Sequence, residues 1–141
     1  MLAQNFLSAE VLRVCDDTYQ ALIQVLGMLE RQELKYTVVD PSAAAMVVKH
    51  YGRGVEPGLF NMAVWAATEE HGCGTVLCIG GAVEALMRKP IPDFHLHGAL
   101  QALFMAHYAR VQLRDITVAQ AAAALRNFLT TGDSKWDQVT A

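Results

Sequence analysis

A stretch rich in glycine and cysteine near the middle of the chain, residues 60–87, limits the possible folds more than any other part of the sequence. It reads FNMAVWAATEEHGCGTVLCIGGAVEALM. Glycine adopts left-handed backbone conformations at little steric cost, so it ends helices and allows sharp turns. We therefore predict two short helices here, separated by a turn at Gly72 and enclosed by the rest of the chain.

The first of these predicted helices begins at Asn61. An asparagine side chain can accept a hydrogen bond from one of the first helical amides, which have no partner inside the helix. Phe60 precedes this cap and Trp65 falls four helical positions after it, which is the spacing of a hydrophobic staple. Met62 lies in the first turn. These residues therefore have a sufficient architectural explanation.

The second predicted helix opens at Cys73, Gly74 and Thr75. Its apolar residues recur at three- and four-residue spacing, which is typical of a buried helix face; they are Val76, Ile79, Val83, Leu86 and Met87. A neighbouring face carries small side chains, namely Cys78, Gly81, Ala82 and Ala85. Each glycine inside a helix costs about 1 kcal/mol relative to alanine. We therefore expect another part of the backbone to pack closely against Gly80 and Gly81.

These motifs resemble those of a family of short bacterial and phage proteins of unknown function. The family signature is F-(N/D)-M-x-x-W, a variable loop, and then C-G-T-x-x-C-(I/A)-x-G-x-A. The matching residues are Phe60, Asn61, Met62, Trp65, Cys73, Gly74, Thr75, Cys78, Ile79 and Gly81, whereas the final alanine stands one place early, at Ala82. The C-terminal segment, residues 115–139, also resembles the family. The resemblance implies an accessory role connected with mobile elements or with the host, and it implies no activity.

The remaining chain predicts helices on both sides of this stretch. We predict a first helix over residues 9–32 capped by Ser8, a short segment at 35–39 that is either a strand or a linker, and a helix over 40–51. After the prolines at 90 and 92, we predict a helix from Asp93 to about residue 113. A last helix follows, with a capping box at Thr117 and an end at Gly132. The sequence thus predicts one all-α domain over residues 1–141, a compact bundle of about six helices.

Several single residues receive structural interpretations. Cys15 falls within the apolar seam of the first helix and is expected to be a small core residue. His107 falls on the apolar face of the helix before residue 113, and both it and His50 are interpreted as structural. Trp136 is expected to fold back over apolar surface, because a large exposed aromatic side chain would be costly.

Composition and charge exclude several classes of function. Hydrophobic residues make up 53% of the 141 residues and charged residues only 18%, which predicts a buried interface, as in a homo-oligomer or a complex with another protein. The net charge is −3 and no basic block is present, which argues against nucleic-acid binding. The chain has no signal-like start and no apolar run of membrane-spanning length. We expect a cytoplasmic protein whose three cysteines are reduced.

One catalytic alternative places Cys73 as a nucleophile. A thiol at a helix N-terminus is stabilised as thiolate by the positive end of the helix dipole and by unpaired amides, and His95 or His97 could act as the base. A cysteine followed by glycine at a helix start also resembles the opening of papain-type peptidases. Those folds carry their histidine on a β-sheet, however, and the chain after Pro92 is predicted to be helical. The sequence therefore favours a non-catalytic protein.

A metal site is the second alternative. Thiolate and imidazole are the ligands that zinc prefers, and they could come from His71, Cys73 and Cys78 with His95 or His97 as a fourth ligand. The C-x4-C spacing is wider than in most zinc knuckles. A disulfide between Cys73 and Cys78 is a third alternative, which requires Cys73 to lie before the helix. The favoured interpretation remains a helical binding protein without a cofactor, in which the signature residues are architectural.

Overall fold

The structure, a computed structural model, describes residues 6–36, 57–60, 62, 66–68, 75–87, 91 and 98–141. Within these residues lie six α-helices: α1 (Ala9–Leu12), α2 (Asp16–Glu30), α3 (Ile79–Met87), α4 (Gly98–Phe104), α5 (Val118–Thr131) and α6 (Trp136–Val139). Four short strands are also present: β1 (Lys35–Tyr36), β2 (Pro57–Phe60), β3 (Ala66–Thr68) and β4 (Thr75–Leu77). A 3-10 turn at Leu113–Asp115 precedes α5. Among the described helices, none has the length and apolar character needed to cross a membrane.

The four strands form one mixed sheet in the order β1-β2-β4-β3. The pairs β1–β2 and β2–β4 are parallel, whereas β3 is antiparallel to β4. In the register of the central pair, Phe60 at the end of β2 lies beside Leu77 at the end of β4. Cys78 alone separates β4 from α3, so the strand leads directly into the helix.

The core lies where α2 packs against both α3 and α5. The buried face of α2 includes Leu22, Val25, Leu26 and Leu29. On the other side, α5 contributes Leu125, Phe128 and Leu129 to the same cluster. Their repeat at three and four residues explains why both segments are helices with one buried face. At the edge of this contact, the Arg126 guanidinium donates to the Glu30 carboxylate at 2.7 Å, which joins α5 to α2.

Several sequence predictions are confirmed. Six helices are present among the described residues, and the short segment near 35–39 contains the strand Lys35–Tyr36. The Ser8 hydroxyl accepts a hydrogen bond from the Val11 amide, as expected of a cap. The capping box of α5 forms in both directions between Thr117 and Gln120. Trp136 is buried, as predicted.

The predicted helix over residues 9–32 is interrupted. Arg13 adopts a left-handed conformation, with φ 60°, directly after α1. Helix α2 then begins after Cys15, which is exposed and contacts the Thr18 hydroxyl through its sulfur at 3.1 Å. The interpretation of Cys15 as a core residue is therefore wrong. The interruption rotates Cys15 out of the apolar face that continues along α2.

The helix assignments over residues 61–77 are also wrong where the structure describes them. Ala66–Thr68 is a strand, and Thr75–Leu77 is a strand instead of the first turn of a helix; before them, Phe60 ends a further strand. The second helix begins later, at Ile79. The helical spacing of Val76 and Ile79 was misleading because the two residues lie on opposite sides of a strand-to-helix junction. The sheet itself is an addition that the all-α class did not contain. Pairing between distant strands overrides local helix preference.

The predicted helices over 40–51 and from Asp93 to residue 97, together with His50, lie outside the described residues.

Candidate functional site

Four described residues of the family-like signature lie in the core, near the ends of the parallel strands β2 and β4. Phe60 ends β2 and Met62 follows it, while Cys78 follows the adjacent strand β4. All three side chains are buried. Gly81, in the first turn of α3, is buried as well. The signature therefore joins the sheet to α3, and in this part of the chain its side chains contribute to packing.

Cys78 caps the N-terminus of α3. Its main-chain carbonyl accepts from the Ala82 amide at 2.9 Å, and its sulfur accepts from the Gly81 amide at 3.3 Å. The bond from Ala82 is the first main-chain bond of the helix, whereas the bond to sulfur uses the Gly81 amide, which has no partner inside the helix. Cysteine thus performs here the capping role that serine, threonine or asparagine usually performs.

The same position keeps the Cys78 thiol protonated. Burial raises its pKa to about 12, because a thiolate would lose its hydration. The amides of Gly81 and Gly80 act in the opposite direction, and the nearby carboxylate of Glu84 raises the pKa further. A thiol is a nucleophile and a metal ligand only as thiolate. Cys78 is therefore suited to packing and capping.

Glu84 holds the chain where it leaves α3. Its side chain is buried, and its carboxylate accepts a hydrogen bond from the Ile91 amide at 2.9 Å. This bond satisfies an amide in a segment that contains two prolines, Pro90 and Pro92, which have no amide hydrogen to donate. Glu84 thereby joins α3 to Ile91.

Only part of the candidate site falls within the described residues. The positions outside them are Asn61, Trp65, His71, Cys73, Gly74, His95 and His97. Of the proposed zinc ligands, Cys78 alone is described, and so the predicted cluster and the predicted Cys73 nucleophile stay predictions. Within the described ranges, no three histidine, cysteine or acidic side chains come together as a metal site would require.

A second candidate surface, which sequence reasoning missed, follows α4 at residues 105–113. Its apolar side chains are unusually accessible: Tyr108 is 85% exposed, Met105 45% and Val111 37%. They surround a shallow depression of about 500 Å³. His107 and Tyr108 pack edge to face, with ring centroids 6.3 Å apart. We call these residues the 105–113 surface.

The backbone of the 105–113 surface is tightly constrained. Ala106 and Tyr108 both adopt left-handed conformations, with φ values of 49° and 70°. Such a conformation costs a residue other than glycine about 1–2 kcal/mol. From the C-terminal end of the chain, the Thr140 hydroxyl accepts from the Arg110 amide at 2.7 Å and donates to the Trp136 carbonyl at 2.6 Å. The surface is therefore held in one shape by α6.

The prediction of a helix to residue 113 is wrong for the same reason. The carbonyl of Leu103 accepts from the indole of Trp136, and the His107 amide turns to the carbonyl of Ala102 at 3.0 Å. Helix α4 ends at Phe104, and the left-handed conformation of Ala106 turns the chain out of the helix. His107 is exposed instead of lying on a buried face. The apolar spacing at 100–111 indicates a helix and does not reveal this turn.

No protein-family model, curated protein or solved structure matches the chain.

Proposed function

We propose that this chain is a non-catalytic protein that acts by binding another protein through the 105–113 surface. The observation that carries the proposal is the cluster of Met105, Tyr108 and Val111. These are three of the large hydrophobic side chains that are exposed in the described part of the chain, and they lie within seven residues of one another. Tyrosine and methionine are enriched at protein interfaces.

The strain in this segment supports the same proposal. Tyr108 is bulky, left-handed in its backbone and almost fully accessible, so its conformation gains little from packing within the chain. Strained conformations of this kind cluster at binding and catalytic sites. Covering an aromatic ring at the centre of an interface contributes about 2 kcal/mol or more to binding. Contact with a partner would therefore recover the free energy that the chain spends in presenting Tyr108.

Preorganisation is the third support. The hydrogen bonds from Thr140 and the main-chain bond from the Ala109 amide to the Ala106 carbonyl, 3.2 Å long, fix the segment before any partner arrives. A surface that is already ordered loses less conformational entropy on binding. In the described part of the signature, Cys78 is buried and protonated, which supports an architectural role there.

The proposal can be tested with a photo-crosslinking amino acid placed at Tyr108. Expressed in the organism that carries the gene, the chain should form one discrete adduct on irradiation. A control chain with the crosslinker at Gln24, an exposed position on α2, should not form it. The adduct is identified by mass spectrometry, and binding is then measured by calorimetry with the two purified proteins. Tyr108→Ala should weaken that binding at least tenfold.

Two results would contradict the proposal. If crosslinkers at Met105, Tyr108 and Val111 give no position-specific adduct, or if Tyr108→Ala binds the purified partner as the wild type does, this surface is not the binding site. Metal analysis of the purified chain provides a separate check. Stoichiometric zinc, together with loss of stability after chelation, would favour the alternative site built from His71, Cys73 and Cys78.

A further inference from the structure

The 105–113 surface carries positive charge that the described chain does not neutralise. Arg110 is exposed and forms no ion pair with any described residue. By contrast, Arg31 is paired with Glu33, and Arg126 with Glu30. Between residues 105 and 113 the sequence contains no aspartate or glutamate. Arg110 is thus an exposed cation in the same segment as the exposed apolar side chains, between Ala109 and Val111, which both line the depression.

We infer that the partner segment on this surface is acidic and apolar: a peptide in which a leucine-like side chain enters the depression beside Tyr108 while a neighbouring carboxylate pairs with Arg110. This inference rests on the proposed function and adds the chemistry of the partner. The depression of about 500 Å³ is bordered by Met105, Tyr108 and Val111, which favours an apolar side chain. Arginine presents a planar fork of donors that matches a carboxylate.

Charge also distinguishes this partner from a second copy of the chain. In a symmetric dimer the same patch appears on both sides of the interface. Two copies of the 105–113 surface would bring the two Arg110 guanidinium groups to one interface, and residues 105–113 contain no aspartate or glutamate to pair with them. Like charges facing each other across an interface oppose association. A partner with carboxylates beside its apolar residues meets no such penalty.

Random peptides displayed on phage and selected against immobilised protein provide the test. The selection is run in parallel on the wild type, Arg110→Glu, Tyr108→Ala and Arg13→Glu. Arg13 is an exposed arginine in a different cleft, so its reversal makes the same charge change away from the 105–113 surface. Circular dichroism and urea unfolding confirm that each variant is folded before selection.

We expect peptides selected on the wild type to combine aspartate or glutamate with leucine-like residues. Selection on Arg110→Glu should favour lysine or arginine instead, and Arg13→Glu should select as the wild type does. For one synthetic peptide taken from the wild-type pool, Arg110→Glu should raise the Kd about fivefold or more, which corresponds to about 1 kcal/mol. Tyr108→Ala should raise it about thirtyfold.

Other results overturn the inference in distinguishable ways. Apolar peptides that lack charge bias, yet depend on Tyr108, would refute the acidic partner and leave the proposed function standing. Self-association seen by light scattering and abolished by Tyr108→Ala would identify a second copy as the occupant. Peptides that bind Tyr108→Ala unchanged would place binding elsewhere on the chain. If no pool is enriched and no self-association is seen, the inference fails, and the crosslinking experiment decides the proposed function separately.

Discussion

The indole nitrogen of Trp136 donates a hydrogen bond to the main-chain carbonyl of Leu103, with a distance of 3.0 Å between the two atoms. This contact joins α6 to the last turn of α4. The same carbonyl also accepts from the Ala106 amide at 3.4 Å, beside the left-handed turn where α4 has ended and the 105–113 surface begins. Trp136 thus contacts the chain at this turn from 33 positions away in the sequence.

Removing the indole N–H donor of Trp136 should weaken the contact between α6 and α4. Trp136→Phe keeps most of the buried ring but loses the N–H group, so we expect the free energy of unfolding to fall by about 1–3 kcal/mol. Trp136→Ala should cost about 3–5 kcal/mol, since it also leaves a cavity. Urea denaturation followed by far-ultraviolet circular dichroism measures both. A Trp136→Phe variant as stable as the wild type would show that ring packing alone holds α6.

Thr140 should control the order of the 105–113 surface. Thr140→Val removes the oxygen that accepts from the Arg110 amide, and it leaves that amide without its partner. We expect faster hydrogen exchange at the Arg110 amide and a loss of about 1–2 kcal/mol in stability. Thr140→Ser, which keeps the hydroxyl, is the matched control and should retain the protection. Equal exchange rates in the valine and serine variants would contradict this role.

The raised pKa of Cys78 predicts how the stability of the protein changes at alkaline pH. Its folded-state pKa of about 12 lies above the ordinary value of 9.0. Between these values the unfolded chain loses the thiol proton while the folded chain keeps it, so ionisation favours unfolding. The contribution of this thiol to the free energy of unfolding is fully present below about pH 9. Above that pH the free energy of unfolding should fall by about 1 kcal/mol per pH unit.

The comparison for this pH effect is Cys78→Ala. The variant should be less stable at neutral pH, because α3 loses a cap, and its stability should fall less steeply between pH 9 and 11. Parallel slopes for the variant and the wild type would show that other groups cause the alkaline loss.

The two described cysteines should differ in their reaction with iodoacetamide. Cys15 is exposed and should be modified in the folded protein, whereas Cys78 is buried and protonated and should react only after unfolding. Peptide mapping by mass spectrometry after a timed reaction assigns each site. Modification of Cys78 at a rate close to that of Cys15 under native conditions would mean that α3 opens readily.

Gln32 offers a way to stabilise the protein. It adopts a left-handed conformation, φ 59°, just after α2, where glycine is usual. Gln32→Gly should relieve that strain and raise the free energy of unfolding by about 0.5–1 kcal/mol, even after the added entropy of the unfolded chain. In the control Gln24→Gly, the same replacement within α2 should lower it by about 1 kcal/mol. The midpoint temperature of thermal unfolding should therefore rise for Gln32→Gly and fall for Gln24→Gly.

The features that the sequence predicts well are those set by neighbouring residues. The Thr117–Gln120 capping box, the left-handed Gly132 at the end of α5 and the Ser8 cap each depend on residues within one helical turn. The burial of Trp136 was predictable because its large apolar surface is costly to expose.

The features that the sequence predicts poorly depend on contacts with residues that are distant in the chain. Strand β4 exists because Thr75–Leu77 pairs with Pro57–Phe60 on one side and with Ala66–Thr68 on the other. Helical spacing on both sides of Cys78 concealed that junction. The 105–113 surface is likewise contacted by distant residues, since Trp136 bonds to Leu103 just before it and Thr140 bonds to Arg110 within it. The sequence identified Cys78 as part of a motif, but its helix boundary, and with it the capping role, required the strand.

The ion pair between Glu30 and Arg126 joins residues that are separated by 96 positions in the chain. Helix α2 packs its apolar face against both α3 and α5, and α5 follows α3 in the sequence. During synthesis the part of that face that α5 covers stays open until residues 118–131 have been made. The core is therefore complete only after α5 has emerged, and a message truncated before α5 yields a nascent chain that depends on chaperones to remain soluble.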